Sequence, residues 1–479
     1  MSQAVSTSPA TMRAPATAWP RLRLVLLGLG ISVVPLDTAV NIAFPDITGR
    51  FGLPIPMIQW VIICYVLTNA GPLLAFGRVG DIWGHGRVFR IGLGWSVAAF
   101  LLCAAAPSFG WLLLFRVLQG FGAALVISCA PALVTALYSE ARRSHALGVF
   151  TLIFAISSAL GPLIGGALVA RWGWPAVFWF RAPIALTSLL CLRGLPSAPA
   201  GPREHQFDLL GAVLLAGGMA GSLLAINAAP RLAQGDYLAV VLIPAALLCL
   251  IVFVWWEGRS AQPVVRVQLF RDPGFSAVNL ASCLMYLVTF SVMLFAPYFF
   301  PRFTTLPLPL AGLVLAAGFI GMALASPVAG WLVQRFGAAR VAPAGALATA
   351  AGLALVGAWR PGTPALVMAL DLALQGAGAG LFQVAYMELV MAATPLAHRG
   401  VAGSLSMLTR TIGVVCAAAG LTLGFQTVQG SVLATGSNTA DAFLAAFRLM
   451  FWLCAAGAVA TAAIVLVPGR QSRESNVSP

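Results

Sequence analysis

Long apolar runs recur along the whole chain and constrain its fold more than any other feature. Each run is about twenty residues long, the length that an α-helix needs to cross the hydrocarbon core of a bilayer. Membrane β-strands would instead appear as shorter segments of alternating hydrophobicity. The sequence therefore predicts an all-α integral membrane protein with fourteen spans, at 22–44, 57–76, 89–107, 111–137, 145–170, 175–193, 208–228, 238–256, 275–298, 309–331, 341–358, 364–390, 401–424 and 443–467.

Composition excludes a water-soluble protein. Hydrophobic residues make up 60% of the chain and charged residues 8%, too few charges to cover a solvated surface. The net charge is +14, and all of the basic residues are arginine. Since no basic run is interleaved with aromatic residues, we expect no nucleic-acid partner. The eight cysteines and four histidines lack the spacing of a metal site, and no catalytic cluster can be argued, so neither a metal nor an enzyme is expected.

The distribution of arginine predicts the orientation. With both termini in the cytoplasm, eighteen arginines fall in cytoplasmic segments and five in external loops. Four lie inside predicted spans, namely Arg116, Arg181, Arg410 and Arg448. Because arginine concentrates in cytoplasmic loops, this asymmetry predicts a multi-pass protein of the plasma (bacterial inner) membrane with both termini inside.

Two short motifs repeat at nearly the same separation. The segment 77-GRVGDIWG-84 is echoed by 330-GWLVQRFG-337, and 119-QGFGAA-124 by 375-QGAGAG-380, at separations of 253 and 256 residues. Internal duplication is typical of secondary transporters. We therefore predict two six-helix halves at 22–193 and 275–467, two inserted helices within a linker at 194–274, and cytoplasmic tails at 1–21 and 468–479.

Polar residues inside spans are costly, roughly 2.5–3.5 kcal/mol for a central Asp or Arg, so each needs a reason. Asp37 and Asn41 lie one helical turn apart in the first span, and Arg116 and Gln119 share a face of the fourth. One interpretation is a protonatable Asp37 whose proton affinity depends on the distance to Arg116. The alternatives are a carboxylate among the headgroups and an arginine that snorkels to the interface.

Other polar side chains give weaker indications of a substrate cavity. Asp371 in the twelfth span could bind a cationic substrate or carry a second proton, whereas Glu388 lies near the cytoplasmic end, where solvation explains it equally well. We also assign Asn41, Gln119, Gln375 and Tyr286 to the candidate cavity, with contact with lipid or core packing as the alternative for Tyr286. For Arg181, packing and contact with an anion both remain open.

The segment 161-GPLIGG-166 predicts a kinked and closely packed fifth span. Pro162 interrupts the backbone hydrogen bonds, and Gly161 with Gly165 forms a G-x-x-x-G pattern that lets another helix approach. Gly166 extends the small surface. Packing alone would explain the pattern. A closely packed, kinked helix is also what a transporter requires if two groups of its helices move against each other.

The loop 77-GRVGDIWGHGR-87 is dense in glycine, but a phosphate-binding loop would need a preceding strand, and none is predicted. We interpret it as a gating loop formed by Gly77, Asp81, Gly84 and Arg87. Asp81 could pair with Arg87, or with Arg142 or Arg143 after the fourth span, in one conformational state only.

Together these segments resemble the major facilitator superfamily, specifically its fourteen-span drug:proton antiporter branch. The loop 77–87 is similar to the superfamily signature, 36-LDTAVNIAFPDI-47 and 116-RVLQGFGAA-124 to the first- and fourth-helix motifs, and 160-LGPLIGGAL-168 to the antiporter motif. The sequence departs from the pattern at Ile82, His85 and Gly86, which are commonly basic, and at Arg181, where asparagine is common.

The resemblance implies a major facilitator fold and export of amphipathic or cationic small molecules, such as drugs, by proton antiport and alternating access. Asp37 and Arg116 would couple proton movement, and no cofactor beyond the proton gradient would be needed. We expect small-molecule substrate, protons and lipid as the partners, and function as a monomer. A facilitator or symporter of a metabolite, and a membrane receptor that does not transport, are the alternatives.

Overall fold

A computed structural model describes residues 20–136, 143–192, 208, 210–211, 213–214, 217–218, 221, 237–260, 270–393 and 409–466. The regular elements within these ranges are helices, as the apolar runs predict. We number them α1 Pro20–Ser32, α2 Ala39–Ile42, α3 Phe44–Phe51, α4 Gln59–Ala70, α5 Leu73–Trp83, α6 His85–Ala104, α7 Phe109–Ala136, α8 Arg143–Trp172, α9 Ala176–Trp179, α10 Arg181–Cys191, α11 Tyr237–Glu257, α12 Pro273–Phe303, α13 Leu308–Phe336, α14 Ala338–Gly357, α15 Ala365–Ala393, α16 Thr409–Ala434 and α17 Thr439–Val465.

Within the described residues, ten helical segments are long and apolar enough to cross a bilayer. The second and sixth predicted spans instead consist of consecutive shorter helices, α4 with α5 and α9 with α10. Most of the seventh predicted span, the predicted tail 468–479 and nearly all of the tail 1–21 lie outside the described residues. The multi-pass all-α architecture is therefore confirmed, while the count of fourteen spans stays a prediction.

The first span is broken where the sequence predicted one helix over 22–44. Helix α1 ends at Ser32, a 3-10 turn covers Pro35–Thr38, and α2 and α3 follow as short separate pieces. Pro35 and Pro45 each stand at the first or second position of a new piece. Proline has no backbone N–H to donate and fits best at a helix start, so the chain restarts there. Asp37 consequently lies inside the break.

The internal repeat reappears as two equivalent turns. Gly84 joins α5 to α6 with φ of 89°, and Gly337 joins α13 to α14 with φ of 82°. Side-chain-bearing residues rarely adopt a positive φ, so glycine is required at both turns. The two positions are those matched by the repeated glycine motif of the sequence.

The two groups of helices, which we call the N-half (20–192) and the C-half (270–466), meet through α8 and α13. Further contacts join Asn41 to Met293 and Thr422 to Gln59, the last with an O···O distance of 2.6 Å. These contacts lie at the end of the bundle opposite the turns at Gly84 and Gly337. We call it the closed end, and the other the glycine-turn end.

Little contact between the halves is found at the glycine-turn end of the described structure. Helix α5 packs chiefly on α6 and α7 of its own half, and a Cβ on Gly330 or Gly337 would meet no atom within 4 Å. Among the described residues, the contacts between the halves are therefore concentrated toward the closed end. We infer that a space between the halves opens toward the side that carries the glycine turns.

Candidate functional site

A buried cluster of charged groups surrounds Asp37. Arg116 of α7 donates to both carboxylate oxygens, with Nη1 2.7 Å from Oδ1 and Nη2 3.0 Å from Oδ2. Gln119, one turn along α7, donates to Oδ1 at 2.8 Å and accepts from Arg116 at 2.9 Å. The structure thus pairs Asp37 with Arg116, as their positions in the first and fourth spans suggested, and adds Gln119 as a third member.

Arg181 is a second cation on the same carboxylate. Its Nη1 lies 2.7 Å from Asp37 Oδ1, and its side chain is fully buried. From the sequence, both packing and contact with an anion were open for Arg181. Its position inside the sixth span could have indicated an acidic partner, because an arginine in hydrocarbon requires a counter-charge.

The local backbone and aromatic rings hold both guanidinium groups in place. Arg116 Nε donates to the Val61 carbonyl at 2.9 Å, and its guanidinium stacks 4.4 Å from the centre of the Tyr65 ring. The Arg181 guanidinium stacks at the same distance from the Phe100 ring. Such cation–π contacts and charged hydrogen bonds lessen the cost of removing two cations from water.

The cluster carries more positive than negative charge. One carboxylate faces two guanidinium groups, which leaves an excess of one positive charge while Asp37 is ionised. In addition, the buried Nη2 of Arg181 has no hydrogen-bond partner among the described residues. Protonation of Asp37 would raise the excess to two charges and weaken both ion pairs, so the cluster is suited to a change of geometry on protonation.

The cluster is connected to the contact between the halves. Thr38, next to Asp37, donates to the Ser158 carbonyl on α8 at 2.9 Å. Gly161 packs closely on Thr38, and a Cβ on Gly165 would lie only 2.9 Å from the Ala39 carbonyl oxygen. One face of the 161-GPLIGG-166 segment therefore packs on the broken first span.

The other face of the same segment contacts the C-half. Gly166 packs on the Leu308 backbone, and Gly312 packs on the Pro162 carbonyl. These approaches are closer than any side chain at Gly166 or Gly312 would permit. A displacement of the chain at Asp37 can therefore reach the C-half through α8, in addition to the direct contact of Asn41 with Met293.

The other candidate cavity residues are not gathered around Asp37. Asn41 contacts the Met293 sulfur at 3.1 Å, and the Tyr286 hydroxyl donates to Gln383 at 2.7 Å. Asp371 accepts from the Trp359 ring N–H at 2.9 Å within the C-half. Gln375 is buried where α13, α14 and α15 cross, and its backbone carbonyl accepts from Thr349.

The gating loop is described only in part. Gly77 and Gly80 pack on Ser128 and Cys129 of α7, and Gly84 forms the turn. Arg87 is exposed at the start of α6. The expected partners of Asp81 cannot be assigned, because Arg142 and the side chains of Asp81 and Arg143 lie outside the described residues.

Sequence comparison identifies relatives of the whole chain. The profile of the Major Facilitator Superfamily matches residues 26–279 and 278–479. The multidrug resistance protein Stp of Mycobacterium tuberculosis is 30% identical over 86% of this chain and 76% of its own. The tetracenomycin C resistance and export protein of Streptomyces glaucescens is 30% identical over 82% and 73%, and the puromycin resistance protein pur8 of Streptomyces alboniger 32% over 81% and 78%.

Solved structures share the fold. A bacterial homologue of the human lysosomal transporter Spinster, in an inward-facing and unoccupied conformation, superimposes with a TM-score of 0.69 over 97% of this chain and 100% of its own, at 17% identity. The POT family transporter PepTSo gives the same TM-score at 15% identity, over 97% of this chain and 100% of its own. The arrangement of the helices in this chain is thus one already known among membrane transporters.

Proposed function

Because the chain belongs to the Major Facilitator Superfamily, we propose that it is a proton-coupled exporter of amphipathic small molecules that works by alternating access. The observation that carries the proposal is the buried cluster of Asp37 with Arg116 and Arg181, linked through α8 to the contact between the halves. The resistance and export proteins among its relatives support the direction of transport.

In the proposed cycle, Asp37 alternates between ionised and protonated forms. The ionised carboxylate holds the 3-10 turn Pro35–Thr38, α7 and α10 together through its two arginines. Protonation weakens those ion pairs and lets the broken first span move, and the close packing at Gly161 and Gly165 passes that movement to α8. A proton can drive transport only if it binds the two conformations with different affinity, and a change in the distance between Asp37 and its two arginines would supply such a difference.

We further propose that the chain belongs to the fourteen-span drug:proton antiporter branch, with both termini in the cytoplasm. The residue ranges of the described helices correspond to thirteen of the predicted spans, and short fragments of the seventh are described. In this orientation the glycine-turn end faces the cytoplasm, so the space between the halves opens toward the side from which an exporter loads its cargo.

A susceptibility panel in an efflux-deficient bacterial host tests the function. Wild type is compared with Asp37→Asn and with Asp371→Asn, a matched control whose carboxylate lies outside the cluster. We expect wild type and Asp371→Asn to raise the inhibitory concentration of one or more amphipathic compounds, and Asp37→Asn to lose this effect while being inserted at the same level. Equal resistance with Asp37→Asn would overturn the proposed coupling, and uptake rather than exclusion of the compound would favour the metabolite symporter.

A further inference from the structure

Arg410 is one of the two arginines in predicted spans that do not belong to the Asp37 cluster; the other is Arg448. Arg410 lies in the first turn of the described part of α16, within the apolar run that begins near Val401. Its side chain is exposed, and it forms no ion pair or hydrogen bond with another described residue. An exposed and unpaired cation at this depth requires either water or an anion nearby.

The position of Arg410 on its helix directs it between the halves. Gly413, one turn later and about 60° around the helix, packs against Cys283 and Tyr286 of α12 in the C-half. Ala418, further along, packs with Ile63 of α4 in the N-half. Arg410 therefore lies in the sector between these two contacts. Along α16 it is nearer to the glycine-turn end than Ala418, where this helix contacts the N-half.

Two tyrosines, one from each half, lie on the helices that border this sector. Tyr286 of α12 contacts Gly413, and Tyr65 lies on α4, whose Ile63 packs with Ala418. Tyr286 in turn donates to Gln383 on α15. Hydroxyl and amide groups around a cation suit a ligand with an anionic head.

The described acidic side chains of the first and twelfth spans do not neutralise Arg410. Asp37 is held by two guanidinium groups, and Asp371 accepts from the Trp359 ring N–H inside the C-half. Glu388 is exposed and lies about 140° around α15 from Gln383, so it faces away from this sector. Arg410 thus adds to the excess of one positive charge in the Asp37 cluster.

We propose that this space binds amphipathic organic anions, and that Arg410 contacts their carboxylate, sulfonate or phosphate group. The inference rests on the proposed transport function and narrows its cargo. It differs from the cationic cargo that the resemblance implied, and Asp371, the acid that the sequence offered for a cation, is hydrogen-bonded within the C-half. The apolar part of the ligand would lie along the aromatic and aliphatic walls near Tyr65 and Tyr286.

Equilibrium binding of two matched fluorescent probes tests the proposal without any ion gradient. Full-length protein is reconstituted in phosphatidylcholine nanodiscs and titrated with pyrenebutanoate and with pyrenebutylammonium, which differ chiefly in the charge of the head group. We expect the anion to bind at least tenfold more tightly than the cation. Arg410→Gln should remove most of that preference, and Arg410→Lys should keep part of it.

Arg448→Gln is the matched control, because Arg448 is also an intramembrane arginine but stacks on Trp452 within α17. It should leave the preference for the anion unchanged. Equal affinity for the two probes, or an anion affinity unaltered by Arg410→Gln, would overturn the proposal. The proposal would also be overturned if pyrenebutanoate did not bind and substitution of Arg410 changed only the binding of phosphatidylglycerol added to the nanodiscs. Arg410 would then contact a lipid headgroup. Since Asp37 is intact in every variant, these outcomes are independent of the test of proton coupling.

Discussion

Replacing Gly312 with alanine should shift the conformational equilibrium away from the closed end. Gly312 lies on α13, and a Cβ there would overlap the Pro162 carbonyl on α8. A backbone oxygen on another helix cannot turn aside as a flexible side chain can, so the halves must separate locally. Overpacking of this kind costs about 1–3 kcal/mol. The population of the state closed at this end should therefore fall by roughly 5- to 150-fold relative to the open one.

Gly330 provides the control on the same helix. A Cβ on Gly330 would meet no atom within 4 Å, so alanine adds volume there without a clash. Both substitutions gain the same intrinsic helix propensity, up to about 1 kcal/mol, so the comparison removes this contribution. The difference between the two variants reports the contact between α8 and α13 alone.

The assay is a distance distribution between spin labels on the two halves, at Arg50→Cys and Thr305→Cys in a variant without native cysteines. Both positions are exposed at the closed end. Gly312→Ala should broaden or lengthen the distribution, whereas Gly330→Ala should leave it as in wild type. An unchanged distribution in Gly312→Ala, or an equal change in both variants, would refute the role assigned to this seam.

Two further substitutions, each with its own control, test residues to which we assign a structural role. Asp371→Ala removes the acceptor for the Trp359 ring N–H and should cost about 1–3 kcal/mol. Its melting temperature should fall while efflux per folded molecule is retained, and Glu388→Ala, at an exposed site, should change neither. Gly84→Ala places a side chain at φ of 89° and should destabilise by about 1–3 kcal/mol in thermal unfolding. Gly94→Ala, where a Cβ makes ordinary contact, is its control, and an equal loss in both would contradict the assigned strain.

The sequence predicted the architecture well because span length and the absence of charge are local properties. Twenty apolar residues require a helix across the bilayer, whatever its neighbours are. The repeat of the 77–84 and 330–337 segments likewise anticipated two equivalent turns, since a positive φ restricts the residue to glycine. The break in the first span was harder to place, because proline indicates where a helix restarts but not how many residues separate the pieces.

The candidate site was predictable where charge demands a partner. Asp37 and Arg116 both lie in spans, so their pairing follows from the cost of isolated charges in hydrocarbon. The second partner, Arg181, depends on the rotation of α10 about its axis, which tertiary packing decides. The same reason explains Asp371: its place in a span suggested a cavity, whereas the chain after α14 supplies Trp359 as a donor.

The central claim is that movement of cargo is coupled to a proton through Asp37, and proton flux in vesicles tests it most directly. Proteoliposomes holding a pH-sensitive dye and a pre-set pH gradient receive the compound to which the protein confers resistance. We expect the compound to dissipate the gradient by exchange with wild type and with Asp371→Asn, and not with Asp37→Asn. Proton movement in the same direction as the compound, or undiminished exchange with Asp37→Asn, would contradict it.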